Sequence, residues 1–332
     1  MENKNLLISF CIPTYNRASY LPKSLDAIIL QLDEDSKKNV EILISDNASD
    51  DATVEVVQGY IQSRPDLNIR FLKNPSNIGM DGNFINCYKN AIGKYVCLVS
   101  DDDFLLPGKV KYLLDIFHFH PDIDAVFLNP FPIAGCLQET EKLCFNSNEM
   151  MERIGDRIVH LGALIFKREI FMKRDYSCYD GTYLAISYIF LDVIMNGDGI
   201  YFTREKFFQI TQNNSGGYNF FDVFITRFLD VLDYASQKGF SKKAVDKVKN
   251  QHLRYFVIPF VIDFRINNSY KRMKRSFSEG FFLIFRRYAS NPMIIWGVIP
   301  AMFAPKFFWV FIRSIVRLIR RISVWNAVKG GC

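Results

Sequence analysis

The sequence predicts a mostly parallel α/β sheet flanked by helices, followed by a helical, basic C-terminal extension. Three observations predict it. Over about the first 130 residues, short apolar runs alternate with helix-length amphipathic segments, and such repeated units require a parallel sheet covered on both faces. Polar side chains gather after the carboxyl end of each strand-like run, which is where open α/β sheets bind ligands. Charge is segregated: from Lys242 onward 18 Lys/Arg face only three acids, Asp246, Asp263 and Glu279, while the whole chain is only +6.

The elements follow in order. "LLISFCIP" (6–13) reads as a buried strand. "SYLPKSLDAIILQL" is a helix with Leu21, Leu25, Ile28 and Leu32 on one face and Ser19 as its N-cap. "VEILISD" (40–46) is the second strand, "DDATVEVVQGYIQS" the second helix, "IRFLKN" (69–74) the third strand and "GNFINCYKNAI" (82–92) a short helix. "KYVCLVS" (94–100) is the fourth strand, "PGKVKYLLDIFHF" a helix opening on Pro107, and "DAVFLN" (124–129) a strand. Beyond these, 157–168 reads as a strand region, 181–197 as a mostly buried helix and 199–203 as a short strand. From residue 220 the pattern is helical. The expected division is an α/β domain over 1–215, its halves meeting near residue 130, and a helical region over 216–332.

Composition sets further bounds. With 332 residues, 49% of them hydrophobic, the chain can bury a large core and is not a disordered or low-complexity protein. Seven Cys with no C-x-x-C pair predict reduced, buried thiols in a cytosolic protein. "LLISFCIP" lacks a basic leader and reads as a strand, not a secretion signal. His118 and His120 stand two apart on a predicted helix, point apart and offer no zinc site. There is no G-x-x-x-x-G-K-[ST] loop and no G-x-G-x-x-G after the first strand, which argues against a P-loop NTPase and a dinucleotide enzyme.

Asp101, Asp102 and Asp103 follow the fourth strand directly. Contiguous carboxylates shift one another's pKa or bind a cation, and an oxygen-only ligand set suits Mn2+ or Mg2+. A solvated turn is the plain alternative.

"ISFCIPTYNRASYLPKSLDAI", "VEILISDNASDDAT", "NPSNIGMDGNF" and "KYVCLVSDDDFLLPGKV" together resemble the family-2 glycosyltransferases of the GT-A fold, over about residues 6–130 and in the family's order. The wording is most similar to abequosyltransferases and related deoxyhexose transferases of bacterial O-antigen assembly. The resemblance implies a sugar nucleotide as donor and assigns roles by position. Pro13, Thr14 and Tyr15 line the nucleotide base and Asp46 reads a pyrimidine ring, with Asn16, Arg17 and Asn47 among the nucleotide-sugar-binding residues. Asn77, Gly79 and Asp81 form the loop beside the nucleotide, and Asp101 faces the ribose. Asp102 stands at the family's metal-binding position with Asp103 beside it. Ser100 replaces the first carboxylate of the usual D-x-D, which weakens the two-carboxylate picture.

The base that activates the acceptor is less legible. No Glu-Asp pair occurs between 150 and 200. Asp180, before "GTYLAISYIF", is the candidate base; Asp192 inside that helix is a weaker alternative and His160 a third. Base and stereochemistry stay open at this point.

The C-terminal region carries its own signal. "PMIIWGVIPAMFAPKFFWVFI" (292–312) is long enough to span a bilayer, but Pro300 and Pro305 each cost about 3 kcal/mol inside a helix. Two broken helices lying in the interface fit better. Next, Arg313, Arg317, Arg320 and Arg321 fall on one side of a predicted helix and Ile315, Leu318, Ile322 and Trp325 on the other. That is the pattern of a peripheral anchor on an anionic membrane surface. Packing on the catalytic domain or in a homo-oligomer is the alternative. Nucleic acid is not expected, because the aromatics sit within aliphatic runs. The expected acceptor is a lipid-linked, undecaprenyl-type oligosaccharide at the cytoplasmic face of the membrane. The rival functions are a sugar nucleotidyltransferase, whose Gly-rich basic signature "PTYNRASYL" lacks, and a non-catalytic membrane-docking subunit.

Overall fold

β1 (Ile8–Thr14) is the axis of the fold, a seven-residue strand buried along its whole length. Its side chains alternate between two faces. Ile8, Phe10 and Ile12 join the core beneath α1 (Leu21–Ile29), whose Leu21, Leu25 and Ile28 are fully buried at helical spacing. Cys11 faces the opposite side, toward the Cys87 carbonyl. β2 (Val40–Asp46), α2 (Thr53–Ser63), β3 (Asn68–Lys73), α3 (Gly79–Asn90) and β4 (Tyr95–Leu98) complete the alternating series. The computed structural model describes residues 6–129, 142–155, 157–197, 199–209, 219, 221–267 and 277–311.

After β4 come β5 (Phe104–Leu105), α4 (Lys109–Phe119), β6 (Ala125–Asn129), β7 (Lys142–Cys144), α5 (Ser147–Ile154), β8 (Leu164–Lys167), α6 (Arg168–Met172), α7 (Ala185–Asn196), β9 (Ile200–Lys206) and β10 (Phe208–Gln209). The main sheet runs β3-β2-β1-β4-β8-β6-β9-β7, and β5 pairs with β10 in a separate ribbon. β3, β2, β1 and β4 are mutually parallel; β8 enters antiparallel to both β4 and β6. Chain order therefore reverses at β1: β2 and β3 build to one side, then β4 returns to the other. The carboxyl ends of β1 and β4 flank this switch point.

The sheet's amino end is closed by a buried carboxylate. Glu41, fully buried, accepts from the Ser9 hydroxyl, from Arg70 Nη1 at 2.5 Å and from the Ile92 amide at 2.9 Å. Gly93 has to be glycine here, since a Cβ would stand 2.6 Å from the Ser9 nitrogen.

Several local expectations shift. Ser19 is not a cap: Tyr20 holds the N-cap position of α1 without a side-chain bond, and Pro22 in the first turn supplies a helical φ. α3 starts at Gly79, three residues earlier than expected. Of 157–168 only Leu164–Lys167 is strand, because Gly162 turns at φ 72° against the Leu98 carbonyl. Four of the described cysteines, Cys11, Cys87, Cys97 and Cys144, are buried free thiols, and burial pushes Cys87 up to about 12.

Two compact units result, one from 1–216 with 230–245 and one from 217–229 with 246–332, the division passing through α8 (Phe228–Gln237) and α9 (Lys242–His252). In the second unit π-helical turns over Leu253–Val257 and Ile294–Val298 each run into a Val-Ile-Pro triplet, opening α10 (Ile258–Asn267) and α12 (Ile299–Phe303). Proline cannot donate to the preceding turn, and a widened turn accommodates that loss. A Cβ on Gly297 would lie 2.5 Å from Ile258, and one on Gly280 in α11 (Phe277–Tyr288) 2.3 Å from the Phe221 ring. His252, in contact with the Phe228 ring, bonds Tyr288 at 2.6 Å, and burial lowers its pKa to about 3. Trp296, Phe303 and Phe307 are 82%, 69% and 76% exposed. Among the described residues no helix is long and apolar enough to cross a membrane. The helix expected over 313–325 lies outside the described residues.

Candidate functional site

The carboxyl ends of β1, β2 and β4 bring the predicted residues to one rim. Thr14, the last residue of β1, donates its hydroxyl to Asp101 at 2.8 Å, joining segments 87 residues apart across the switch point. Burial pushes the Asp101 carboxyl up to about 7, against the pull of the Thr14 bond. Asp102 is 2% exposed; it accepts from the Ser100 hydroxyl, and Arg17 Nη1 stands 3.7 Å from its Oδ2. Ser100, the departure from D-x-D, thus orients the carboxylate that follows it. Asp103 lies half-buried beside this pair, just ahead of the β5–β10 ribbon.

Asp46 ends β2 and is fully buried. Its Oδ1 accepts from the Ser49 amide at 3.0 Å and from the Ser49 hydroxyl. Among the described residues its Oδ2 has no hydrogen-bond partner. A buried carboxylate oxygen without a donor is costly and rare.

The neighbouring loops are strapped to β2. Asn47 donates to Asn77 Oδ1 at 2.9 Å and to the Gly79 carbonyl at 3.0 Å, and accepts from the Ile78 amide at 2.9 Å. Asn74, Asn83, Asn86 and Ser45 extend this network along α3. Asn16 accepts from the Asp50 amide at 3.0 Å, and its own amide donates to Ser49. Pro13 lies buried within β1, whereas Tyr15 is 45% exposed.

Backbone strain concentrates here. Among the described residues, the non-glycine positions with left-handed φ are Asn16 (54°), Ala48 (63°) and Tyr183 (63°). Each costs about 1–3 kcal/mol, and such strain collects at functional sites.

Asp180 joins the rim, by a route the sequence did not indicate. It closes the 3-10 turn Ser177–Tyr179 and does not start a helix. Its Oδ1 lies 3.7 and 3.5 Å from where Cβ atoms on Gly79 and Gly82 would stand. The link is Asp81: its carboxylate accepts from the Tyr183 amide at 2.6 Å and the Ala185 amide at 3.2 Å, capping α7 from another segment. Burial raises its pKa to about 6, and Asp180 adds to the shift. Asp81 therefore ties the first turn of α3 to the segment that opens α7.

Asp192 is not brought to the rim. Its carboxylate accepts from Arg174 Nη1 at 2.6 Å and from the Tyr234 hydroxyl at 2.9 Å. His160 is half-buried, and burial lowers its pKa to about 4. Sequence reading missed the Asn74–Asn83–Asn86 network, although Asn83, Asn86 and Asn90 at helical spacing mark a polar stripe on α3. It also missed Ser49 and Arg17's pairing with Asp102, which no local pattern announces.

Among the described residues no group of three or more His, Cys, Asp and Glu gathers to hold a metal. The triad is therefore not a preformed cage. One or two carboxylates with open positions still fit a cation whose remaining ligands come from substrate phosphates.

The profile described as "Glycosyl transferase family 2" matches residues 9–174. The abequosyltransferase RfbV of Salmonella typhimurium is 31% identical over 208 residues, 58% of this chain and 61% of its own length. A GalNAc(5)-diNAcBac-PP-undecaprenol beta-1,3-glucosyltransferase of Campylobacter jejuni is 36% identical over 107 residues, covering 32% of this chain and 33% of that protein. The chain thus spans less than two thirds of these relatives. Among solved structures, S. aureus TarS 1–349 with UDP superposes with a TM-score of 0.58 at 16% identity, over 87% of this chain and 82% of that one. The mannosyltransferase PcManGT of Pyrobaculum calidifontis, with GDP-Man and Mn2+, gives 0.57 at 14% identity, over 96% and 87%. These likenesses show a GT-A-type fold.

Proposed function

The chain belongs to glycosyl transferase family 2, and from that premise we propose that it moves a sugar from a nucleotide-diphosphate donor to a lipid-linked oligosaccharide in surface-polysaccharide assembly. One observation carries the reading: the buried, unpaired Oδ2 of Asp46 at the switch-point rim. An acceptor-only oxygen there calls for an N–H donor, which the edge of a pyrimidine base supplies. Thr14 and Asp101 then face the ribose, and the strapped loop at Asn77–Gly79 walls the nucleotide.

Arg17 supplies a fixed positive charge beside Asp102, where the diphosphate leaves. A Mn2+ or Mg2+ ion held by Asp102, with Asp103 beside it, supplies neutralisation of the diphosphate charge when bound. Asp180 takes the proton from the acceptor hydroxyl as its oxygen bonds to the anomeric carbon; the bond from that carbon to the phosphate oxygen breaks, and the nucleoside diphosphate leaves. Asp192, enclosed by Arg174 and Tyr234, fixes the fold around α7.

An abequose-type deoxyhexose is the donor sugar that the Salmonella relative suggests. The lipid carrier follows from the Campylobacter relative and from the C-terminal region, where exposed Trp296, Phe303 and Phe307 accompany the surplus of Lys and Arg. Such a surface suits peripheral docking on an anionic bilayer, at its cytoplasmic face. Calorimetric titration of the full chain with UDP, CDP, GDP and dTDP, each with Mn2+ and Mg2+, tests the reading. A pyrimidine nucleotide is expected to bind, and to bind more weakly to Asp46→Asn. Binding by none of the four overturns it.

A further inference from the structure

The loop that carries Asp180 contains a feature the reaction scheme does not use. Tyr183 holds a left-handed backbone at φ 63°, a conformation that a bulky side chain rarely adopts. It is fixed there from both sides. Asp81 Oδ2 accepts its amide at 2.6 Å, and Thr182, whose hydroxyl donates to the Tyr179 carbonyl at 2.7 Å, accepts the next amide, Leu184, at 3.2 Å. This restraint delivers a ring that is 49% exposed.

The nearby tyrosines behave differently. Tyr179 stacks on Tyr188 at 4.1 Å with the planes 7° apart, and Tyr234 packs edge-on against both. Among the described residues Tyr183 has no aromatic partner. Strain imposed by a buried carboxylate, in order to leave an aromatic ring in water, has no use in packing.

The surroundings indicate what the ring would meet. Asp180, three residues earlier, lies against Gly82 together with Ile78. Ile78 and Met80 are themselves 36% and 39% exposed. A carboxylate and an apolar, aromatic rim thus share one loop junction. A pyranose matches that pair, with C–H bonds on its face and hydroxyls on its edge. The nucleobase proposed above has its own acceptor at Asp46.

We propose that Tyr183 is a platform for a pyranose ring of the acceptor, and that Asp81 is the positioning residue that holds it in place. The inference rests on the transferase reading above.

Saturation-transfer NMR on the full chain tests it, with the methyl glycosides of glucose, galactose and mannose as probes and UDP, CDP, GDP and dTDP as controls. Saturation of the ring C–H protons of at least one glycoside is expected in wild type. It should fall roughly tenfold in Tyr183→Ala and persist in Tyr183→Phe, with the nucleotide signal unchanged in both. Tyr183→Gly separates ring from strain: its melting temperature should equal or exceed that of wild type while its glycoside signal is lost. Asp81→Asn should lose part of the glycoside signal. A wild type that saturates none of the glycosides, or a Tyr183→Ala variant indistinguishable from it, overturns the inference. Equal loss of nucleotide and glycoside signals in Tyr183→Ala also overturns it, by moving the ring to the donor side. A wild type that binds glycosides through Tyr183 but binds no nucleotide defeats the transferase reading alone and leaves the platform standing.

Discussion

The two ends of one set of parallel strands treat a buried carboxylate in opposite ways. At the amino end Glu41 is fully buried and fully satisfied, by Ser9, Arg70 and the Ile92 amide. At the carboxyl end Asp46 is equally buried, yet one of its oxygens has no hydrogen-bond partner among the described residues. The amino end has a glycine where the backbone needs room, whereas the carboxyl end forces Asn16, Ala48 and Tyr183 into left-handed backbone. One end is closed and satisfied, and the other is where we propose that the donor nucleotide binds.

That contrast can be broken in four places. The largest effect is expected at Asp102. Asp102→Asn should slow sugar transfer by about 10²–10³, equivalent to roughly 3–4 kcal/mol, and move the melting temperature little; a melting temperature that falls with the activity would make Asp102 a stability residue. Next comes Glu41→Ala, which should lower the unfolding free energy by about 3 kcal/mol in denaturant titration, since it strands buried donors of Ser9 and Ile92. Nucleotide affinity should change by less than about twofold, because the two ends are distant and independent. Asp46→Asn should do the reverse: nucleotide affinity about tenfold weaker, near 1.4 kcal/mol, with equal or greater stability. Equal destabilisation at Asp46 and Glu41 would erase the distinction.

The fourth place is Asp81, where the effect is a pH dependence. Its folded pKa, about 6, lies above the ordinary carboxylate value of 3.8, so between these the folded state binds the extra proton. This group's contribution therefore falls as pH rises from about 4 to about 6 and is level above that. Asp81→Asn should flatten the stability profile across that window by roughly 2 kcal/mol, read as the difference from wild type in denaturation midpoints at pH 4 and pH 7.

Much of the carboxyl-end rim was legible in the sequence. β1 and β2 are continuous apolar runs because both their faces are buried, so their ends, and the polar residues after them, could be read directly. Asp46, Asn77 and Asp101–Asp103 fall where the runs stop. The partners of those residues were not legible. Thr14 meets Asp101 and Asp81 meets Tyr183 across 87 and 102 residues, and no periodicity encodes such pairs. The two-residue strands β5 and β10 are too short to carry a pattern, and β8 looked longer because the turn before it is also apolar. Asp180 precedes the predicted helix over 181–197, but α7 starts only at Ala185 and its cap comes from Asp81, far away in sequence. The paired Val-Ile-Pro triplets were visible as letters, but their π-turns follow from proline's missing donor in three dimensions.

The reversal of strand order at β1 also has a consequence in time. β1 can pair with β2 once Asp46 has left the ribosome, but β4 ends later, at Leu98, and Asp101 follows it. Contacts of that separation form slowly, because loop closure precedes their reward. A nascent chain thus has a sheet before it has the rim at Asp101, and the nucleotide proposed as donor would stabilise only chains whose β4 has already docked.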